Sequence, residues 1–421
     1  MKKLYFIQFC FIFLYCCEKK VTLPDIDVSL SKDGIVWLPD NVPGVFKKYF
    51  VKYTKILSPN GKPIHILAQD GWTNDQIKHG RNVLEHILED YPGSVYGEDK
   101  SHIANSMSDK KATMVFFNTE PDLEKAFQEG LGEATDLSMQ DLRSNECPAV
   151  GSDDYMNHIT RDASYEEIWH LVHDYGIKPR LPKMIKEMRL ANDKAEKMGW
   201  RAWPEDEPQE HPNEYVGVLI DNYYDLWKTM PILYEGVPIK DRLKKDSFDQ
   251  YIGKSHFGRY FANNRESLFN EDTLGYSILE NFFHPYLTYT PELPKDFTGV
   301  FSLLYNDDLV YTQKSQYLVN IKATGNNNIT LIGNKYDNRI TGNNGNNKLI
   351  GNEGNDFLIG SEGLDTVVFR GDFHEYSIQY KNNQVIISDK TEQRDGIDTL
   401  SEIELGIFNN LEHKFSDFDN P

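Results

Sequence analysis

The run GNKYDNRIT (333–341), GNNGNNKLI (342–350), GNEGNDFLI (351–359) and GSEGLDTVV (360–368) opens every nine-residue unit with a glycine, at 333, 342, 351 and 360. Each unit has a turn half rich in Gly and Asn, residues that tolerate positive φ. Its strand half keeps Ile340, Leu349, Leu358 or Val367 at the same place. One unit cannot bury its apolar residue. The units must therefore stack, which puts those four side chains in one interior column of a parallel coil. A disordered Asn/Gly-rich linker would have no reason to hold the apolar residue in phase.

The units resemble the repeat-in-toxin nonapeptide G-G-x-G-x-D-x-(apolar)-x, with Asn or Ser at the second glycine position and Gly345, Gly354 and Gly363 keeping the third. The resemblance implies a β-roll over 325–370 whose turns align carbonyls and side chains around Ca2+. Its ligand position reads Asn338, Asn347, Asp356 and Asp365. Only two of these are carboxylates, and affinity at oxygen-ligand sites follows charge count and rigidity, so loose calcium binding is expected. Residues 375–380, the Asn382-Asn383 turn and residues 385–387 alternate as a β-hairpin. This hairpin opens a β cap over 371–411, followed by a tail at 412–421. With Gly396-Ile397-Asp398-Thr399-Leu400, the cap resembles the terminal module of secreted repeat-in-toxin proteins.

At 421 residues the chain is long enough for two or three domains. Its formal charge of -20, from 65 acids against 45 bases, argues against nucleic acid and favours cations as partners. No apolar run after the N-terminus is long enough to span a bilayer, so a soluble body is expected. Residues 1–17 have a signal-peptide layout: Lys2 and Lys3, then an uncharged apolar stretch from Leu4 to Cys17, then Glu18, Lys19 and Lys20. Leu14-Tyr15-Cys16-Cys17 resembles a loose bacterial lipobox, although Tyr15 and Cys16 depart from its small residues. Either lipidation at Cys17 or Cys16 or plain secretion follows, and membrane contact is expected only through such an anchor. Cys147 alone remains in the body, too few for a disulfide, and is read as inert packing.

After an extension at 18–61, residues 62–315 mix strands and helices. Pro63–Ala68 and Ala112–Phe117 read as strands around a helix at Thr73–Tyr91, which carries Ile77, Leu84, Ile87 and Leu88 at helical spacing. Farther on, Glu166, His170 and His173 stand at i, i+4 and i+7. On a helix they share a face close enough for two side chains to reach one ion, with Glu167 beside them as general base.

This segment resembles the zincin metallopeptidase motif H-E-x-x-H, with Glu166 where the first His belongs, Glu167 at the base and His170 at the second His. Asn213-Glu214-Tyr215 opens a later helix similar to the third-ligand helix of glutamate-zincins, where Gly217 allows close helix approach. Together with His170-Leu171-Val172-His173-Asp174-Tyr175, the pattern looks most like the lethal-factor type. The resemblance implies a Zn2+ or similar divalent site made by Glu166, His170 and Glu214, with His173 as a further or alternate ligand. Glu in place of His weakens the preference for zinc, because imidazole suits zinc and carboxylates suit harder ions.

A plainer reading is also open. Ser164 and Glu167 have capping-box spacing, acids suit a first turn, and the histidines could border a core. The histidines at 65, 79, 86, 158, 211 and 284 lack ligand spacing and are read as structural or exposed. The acids Glu205, Asp206, Glu207 and Glu210 are read as solvated loop, and the Trp200–Trp203 stretch as packing. No G-x-S-x-G, Walker or dinucleotide motif is present. The expectation is therefore an exported α+β protein, a zincin-like domain followed by an all-β roll and cap. It would act on a peptide or protein substrate or, if catalytically silent, serve surface binding or adhesion.

Overall fold

In a computed structural model, the structure describes residues 20–200, 208–234, 236–239, 260 and 262–415. The leader with Cys16 and Cys17, the acids at 205–207, Trp203 and the tail beyond 415 lie outside the described residues.

Five strands form the sheet of the first domain in the order β1 (Val36–Trp37), β2 (Lys52–Leu57), β3 (Pro63–Ala68), β4 (Ala112–Phe117), β5 (Ser138–Arg143). The first two pairings are antiparallel, and those of β3 with β4 and β4 with β5 are parallel. Helix α1 (Asn74–Leu88) supplies the crossover between β3 and β4, together with α2 (Ser101–Asp109). Thr73 starts α1: its hydroxyl accepts from the Gln76 amide while Gln76 reaches back to the Thr73 N–H, so two otherwise orphaned donors are satisfied.

Both faces of the sheet are covered, which explains why β4 is apolar without alternation. Ile64, Ile66, Met114 and Phe116 face one core, and Leu67, Val115 and Phe117 face another. The segment expected as an extension is part of this second layer. It provides β1 and β2, and Leu23, Ile26, Val42, Phe46 and Phe50 pack beneath the sheet. On the other side lie α3 (Ser164–Val172), α4 (Pro182–Lys197) and α5 (His211–Tyr223), with α3 against β5 and α5.

The C-terminal part is a two-sheeted parallel roll. One sheet contains β6 (Gly299–Ser302), β8 (Ile329–Ile332), β10 (Lys348–Ile350), β12 (Thr366–Phe369) and β16 (Leu405–Phe408). The other contains β7 (Asn320–Lys322), β9 (Arg339–Thr341), β11 (Phe357–Ile359) and β15 (Ile397–Ser401). Leu349 pairs with Leu331 and Val367, and Ile340 with Leu358, so neighbours in a sheet are eighteen residues apart. The expected single interior column is therefore two facing columns, because successive nine-residue units lie on opposite sides of each coil. Each of these side chains is fully buried, which is worth on the order of 1.5–3 kcal/mol.

Parallel pairing also runs past both expected ends of the roll. It starts at Gly299, and after Phe369 it resumes with Leu400 beside Leu358 and Phe408 beside Phe369. The hairpin β13 (Tyr376–Lys381) and β14 (Gln384–Asp389) is inserted between coils and pairs antiparallel with β15. An antiparallel strand, β17 (Leu411–Lys414), covers the edge at β16.

One continuous apolar core joins roll and mixed domain. Tyr317 donates to Asp225 just beyond α5 at 2.9 Å, Asn320 Nδ2 to the Thr288 carbonyl at 2.9 Å, and Asn334 Nδ2 to the Gln316 carbonyl at 3.0 Å.

Candidate metal centres

Helices α3 and α5 bring Glu166, His170 and Glu214 together. One potential ligand atom from each lies within 4.8 Å of the others. His170 Nε2 and Glu214 Oε1 are 3.6 Å apart, near the roughly 3.3–3.6 Å that separates two ligands bonded at about 2.0–2.2 Å to one tetrahedral ion. Gly217 makes the approach feasible, since a Cβ there would lie 2.9 Å from Glu166 Cγ. His173 is held apart from the cluster. The helix passes into a π turn at His173–Ile177, and His173 Nδ1 bonds Asp174 Oδ1 at 2.9 Å.

The capping-box alternative is not what forms at α3. The N-cap residue is Ala163 and no side chain caps it. Ser164 instead donates to Asp162 Oδ1 at 2.6 Å and contacts buried His79 at 3.2 Å, while Glu167 Oε2 accepts from Gln140 Nε2 at 2.8 Å. Burial pushes the Glu167 carboxyl up to about 8, with Glu146, Asp141 and Glu214 adding and Arg161 opposing. A carboxylate-rich pocket of this kind favours a cation. Arg161 pairs directly with Glu166 and lies 4.0 Å from Asp221 Oδ2. Neither Arg161 nor Asp221 nor Gln140 stood out in the sequence, because each acts on the cluster from a separate element. Six further histidines are hydrogen-bonded by protein groups: His65 to Tyr53, His79 to Asp162, His86 to Thr288 and Tyr224, His158 to Thr229, His211 to Glu196 and His284 to Asp90. Cys147 is buried, and burial pushes its thiol up, as inert packing requires.

In the roll, two ladders of side chains run along the turns. Asp356 Oδ1 accepts from the Asn338 amide N–H at 2.7 Å, and Asp398 Oδ1 accepts from that of Asp356 at 2.9 Å. On the other side Asp365 Oδ1 accepts from the Asn347 N–H at 2.6 Å, and Glu404 Oε2 from that of Asp365 at 2.7 Å. The second oxygens of Asp356 and Asp365 are buried without a hydrogen-bond partner. A Cβ on Gly351 would lie 2.0 Å from Asp356 Oδ2, so glycine is what leaves that oxygen its cradle. Orphaned buried carboxylate oxygens beside stacked carbonyls fit a hard cation.

Residues 332–367 match the RTX calcium-binding nonapeptide repeat, in four copies. The crystal structure of the extracellular lipase LipA from Serratia marcescens is similar over 19% of this chain and 14% of its own, at 20% identity and a TM-score of 0.11. No curated protein matches the sequence.

Within the RTX roll the four expected ligand positions divide into two kinds. Asn338 Nδ2 donates to Asn334 Oδ1 at 3.0 Å, and Asn347 Nδ2 to Asn343 Oδ1 at 2.9 Å, so these amides are satisfied by their own turns. At Asp356 and Asp365 no such donor exists. There the second residue of the unit, Asn352 or Ser361, takes a left-handed φ of 70° or 78°, the conformation for which the repeat ordinarily carries glycine. Burial pushes Asp356 up to about 7 and Asp365 up to about 6, the latter also raised by Glu404 and Glu402. Asp398 is pushed up to about 9 by burial and then by the charge of Asp356. Asp398 and Glu404 lie beyond the matched repeats. The signal for Asp398 is present, since Gly396-Ile397-Asp398-Thr399-Leu400 repeats the order of Gly363-Leu364-Asp365-Thr366-Val367.

Among the described residues no helix is long and apolar enough to cross a membrane.

Proposed function

We propose that this is an exported, calcium-binding RTX protein whose first domain is a zincin-like metallopeptidase. The observation that carries the reading is the convergence of Glu166, His170 and Glu214 from two helices, with Glu167 beside Glu166 in the first turn of α3. A divalent ion held there, Zn2+ or a harder relative, would supply Lewis acidity toward a peptide carbonyl. A dication beside Glu167 would draw its raised carboxyl back down into the ionised form, and Glu167 would then take the proton of the attacking water and deliver it to the leaving amine, with Gln140 orienting its carboxylate. The substrate class is a peptide or protein, and membrane contact is limited to a lipid on Cys17 or Cys16, where lipidation replaces plain secretion.

A second reading has its own support. Arg161 already neutralises Glu166, as it would in a scaffold retained for surface binding or adhesion without catalysis. The two readings differ in turnover. Metal-loaded wild type should cleave a mixed peptide library followed by mass spectrometry. Glu167→Gln should lower the rate by roughly 10²–10⁴-fold without changing metal stoichiometry. A metal-loaded wild type that leaves the library intact, or equal cleavage by the variant, would discard the peptidase reading.

A further inference from the structure

The geometry points to Arg161 as the residue that sets the metal affinity of the Glu166–His170–Glu214 cluster, by releasing Glu166 to an incoming cation and transferring its guanidinium to Asp221. The inference rests on the divalent-site reading above and adds the device by which that site is held closed or opened. Arg161 lies just before α3, with its side chain 12% exposed, paired to Glu166 and with the guanidinium carbon 4.8 Å from the centre of the Trp227 ring. Asp221 is fully buried on α5, seven residues after Glu214 and thus on the same side of the helix, and neither of its carboxylate oxygens has a hydrogen-bond partner. A buried carboxylate in that state is costly, and the nearest guanidinium nitrogen is 4.0 Å away. A shift of roughly 1 Å would bring it to charge-assisted hydrogen-bonding distance.

Glu166 is the less free of the two partners. Its stem lies over Gly217, where even a methyl group would have no room. The mobile element of the pair is therefore the long arginine, which can turn between two carboxylates along the face of Trp227. Four carboxylates (Glu166, Glu167, Glu214 and Asp221) surround this one guanidinium and His170. A dication taking Glu166 and Glu214 leaves Arg161 for Asp221, so that each of these three carboxylates has a cation beside it.

The test is a calorimetric titration of the full chain, saturated with calcium, using zinc chloride as the probe on wild type, Arg161→Gln, Asp221→Asn and the double variant. Arg161→Gln should tighten zinc by roughly tenfold or more, because the competing cation is gone. Asp221→Asn should weaken zinc by roughly tenfold, because the guanidinium then stays on Glu166. On the Arg161→Gln background the Asp221→Asn change should have almost no effect, a non-additivity that simple removal of distant charge would not produce. Zinc binding by wild type that Arg161→Gln fails to tighten, or an Asp221→Asn effect equal in both backgrounds, overturns the role of Arg161 and leaves the metal site standing. Absence of zinc binding in every variant overturns both. Should Arg161→Gln fail to fold, Asp221→Asn alone decides: weaker zinc supports the transfer and unchanged zinc overturns it.

Discussion

Replacing Asp356 and Asp365 together by Asn is expected to abolish the calcium-induced rise in thermal stability and, without calcium, to make the chain more stable than wild type at pH 8. Both effects have one cause. Each of these residues buries an oxygen without a protein partner, whereas the amides of Asn338 and Asn347 are satisfied within their own turns, accepting from the Asn334 and Asn343 N–H groups and donating to the Asn334 and Asn343 side chains. The pH dependence follows from the raised carboxyls. Their unfolded value is near 3.8, and in the folded roll they are pushed to about 7 at Asp356, about 6 at Asp365 and about 9 at Asp398. Between those limits the native state binds more protons than the unfolded state, so calcium-free stability falls as pH rises from about 4 through about 9. Calcium takes over from the protons at neutral pH. Thermal unfolding of the calcium-free protein should therefore shift upward by at least a few degrees from pH 8 to pH 5.5 in wild type, and less in the double variant. A double variant with an undiminished calcium response would assign the ligands to backbone carbonyls or to Asp398 and Glu404 alone.

Glu166→His is expected to raise zinc affinity by roughly one to two orders of magnitude, since imidazole is the better partner for that ion and the new ring no longer attracts Arg161. The same change should raise peptide hydrolysis. If the two acids serve only the helix start, the variant gains no zinc and loses a few tenths to about 1 kcal/mol of favourable dipole contact. Zinc titration read beside thermal stability separates the two.

The parts of this fold that were legible in the sequence are those with a period. Glycines nine residues apart and apolar residues in phase define coils whatever surrounds them, so the roll could be read directly. Its true extent could not, because Phe301 pairs with Leu331 across the segment holding Leu303 to Lys314, and Leu400 pairs with Leu358 across an inserted hairpin. Both insertions break the period while preserving the pairing. Strands β3 and β4 and helix α1 were legible through apolar runs and helical spacing. Strands β1 and β2 were not, since their partners are supplied by the sheet.

The candidate site was legible only along helices. Glu166 and His170 follow from i, i+4 spacing, and Glu214 from its place near the start of a second helix. His173 keeps the same helical spacing, its N–H still bonding the Trp169 carbonyl, but its Nδ1 is bonded to Asp174 and it is not among the three side chains that converge. Arg161 reaches the site from the loop before α3, and Gln140 reaches it from a strand, so no spacing rule connects them to Glu166 or Glu167.

On the proposed reading, Glu166, His170 and Glu214 hold a divalent ion distinct from the calcium of the roll. Elemental analysis of the full chain after equilibration with zinc and calcium and removal of free ions tests it directly, with wild type compared to His170→Ala. About one zinc per wild-type chain is expected, lost in His170→Ala, with the calcium content of the two proteins equal. Wild type without zinc, or zinc retained equally by His170→Ala, would contradict it.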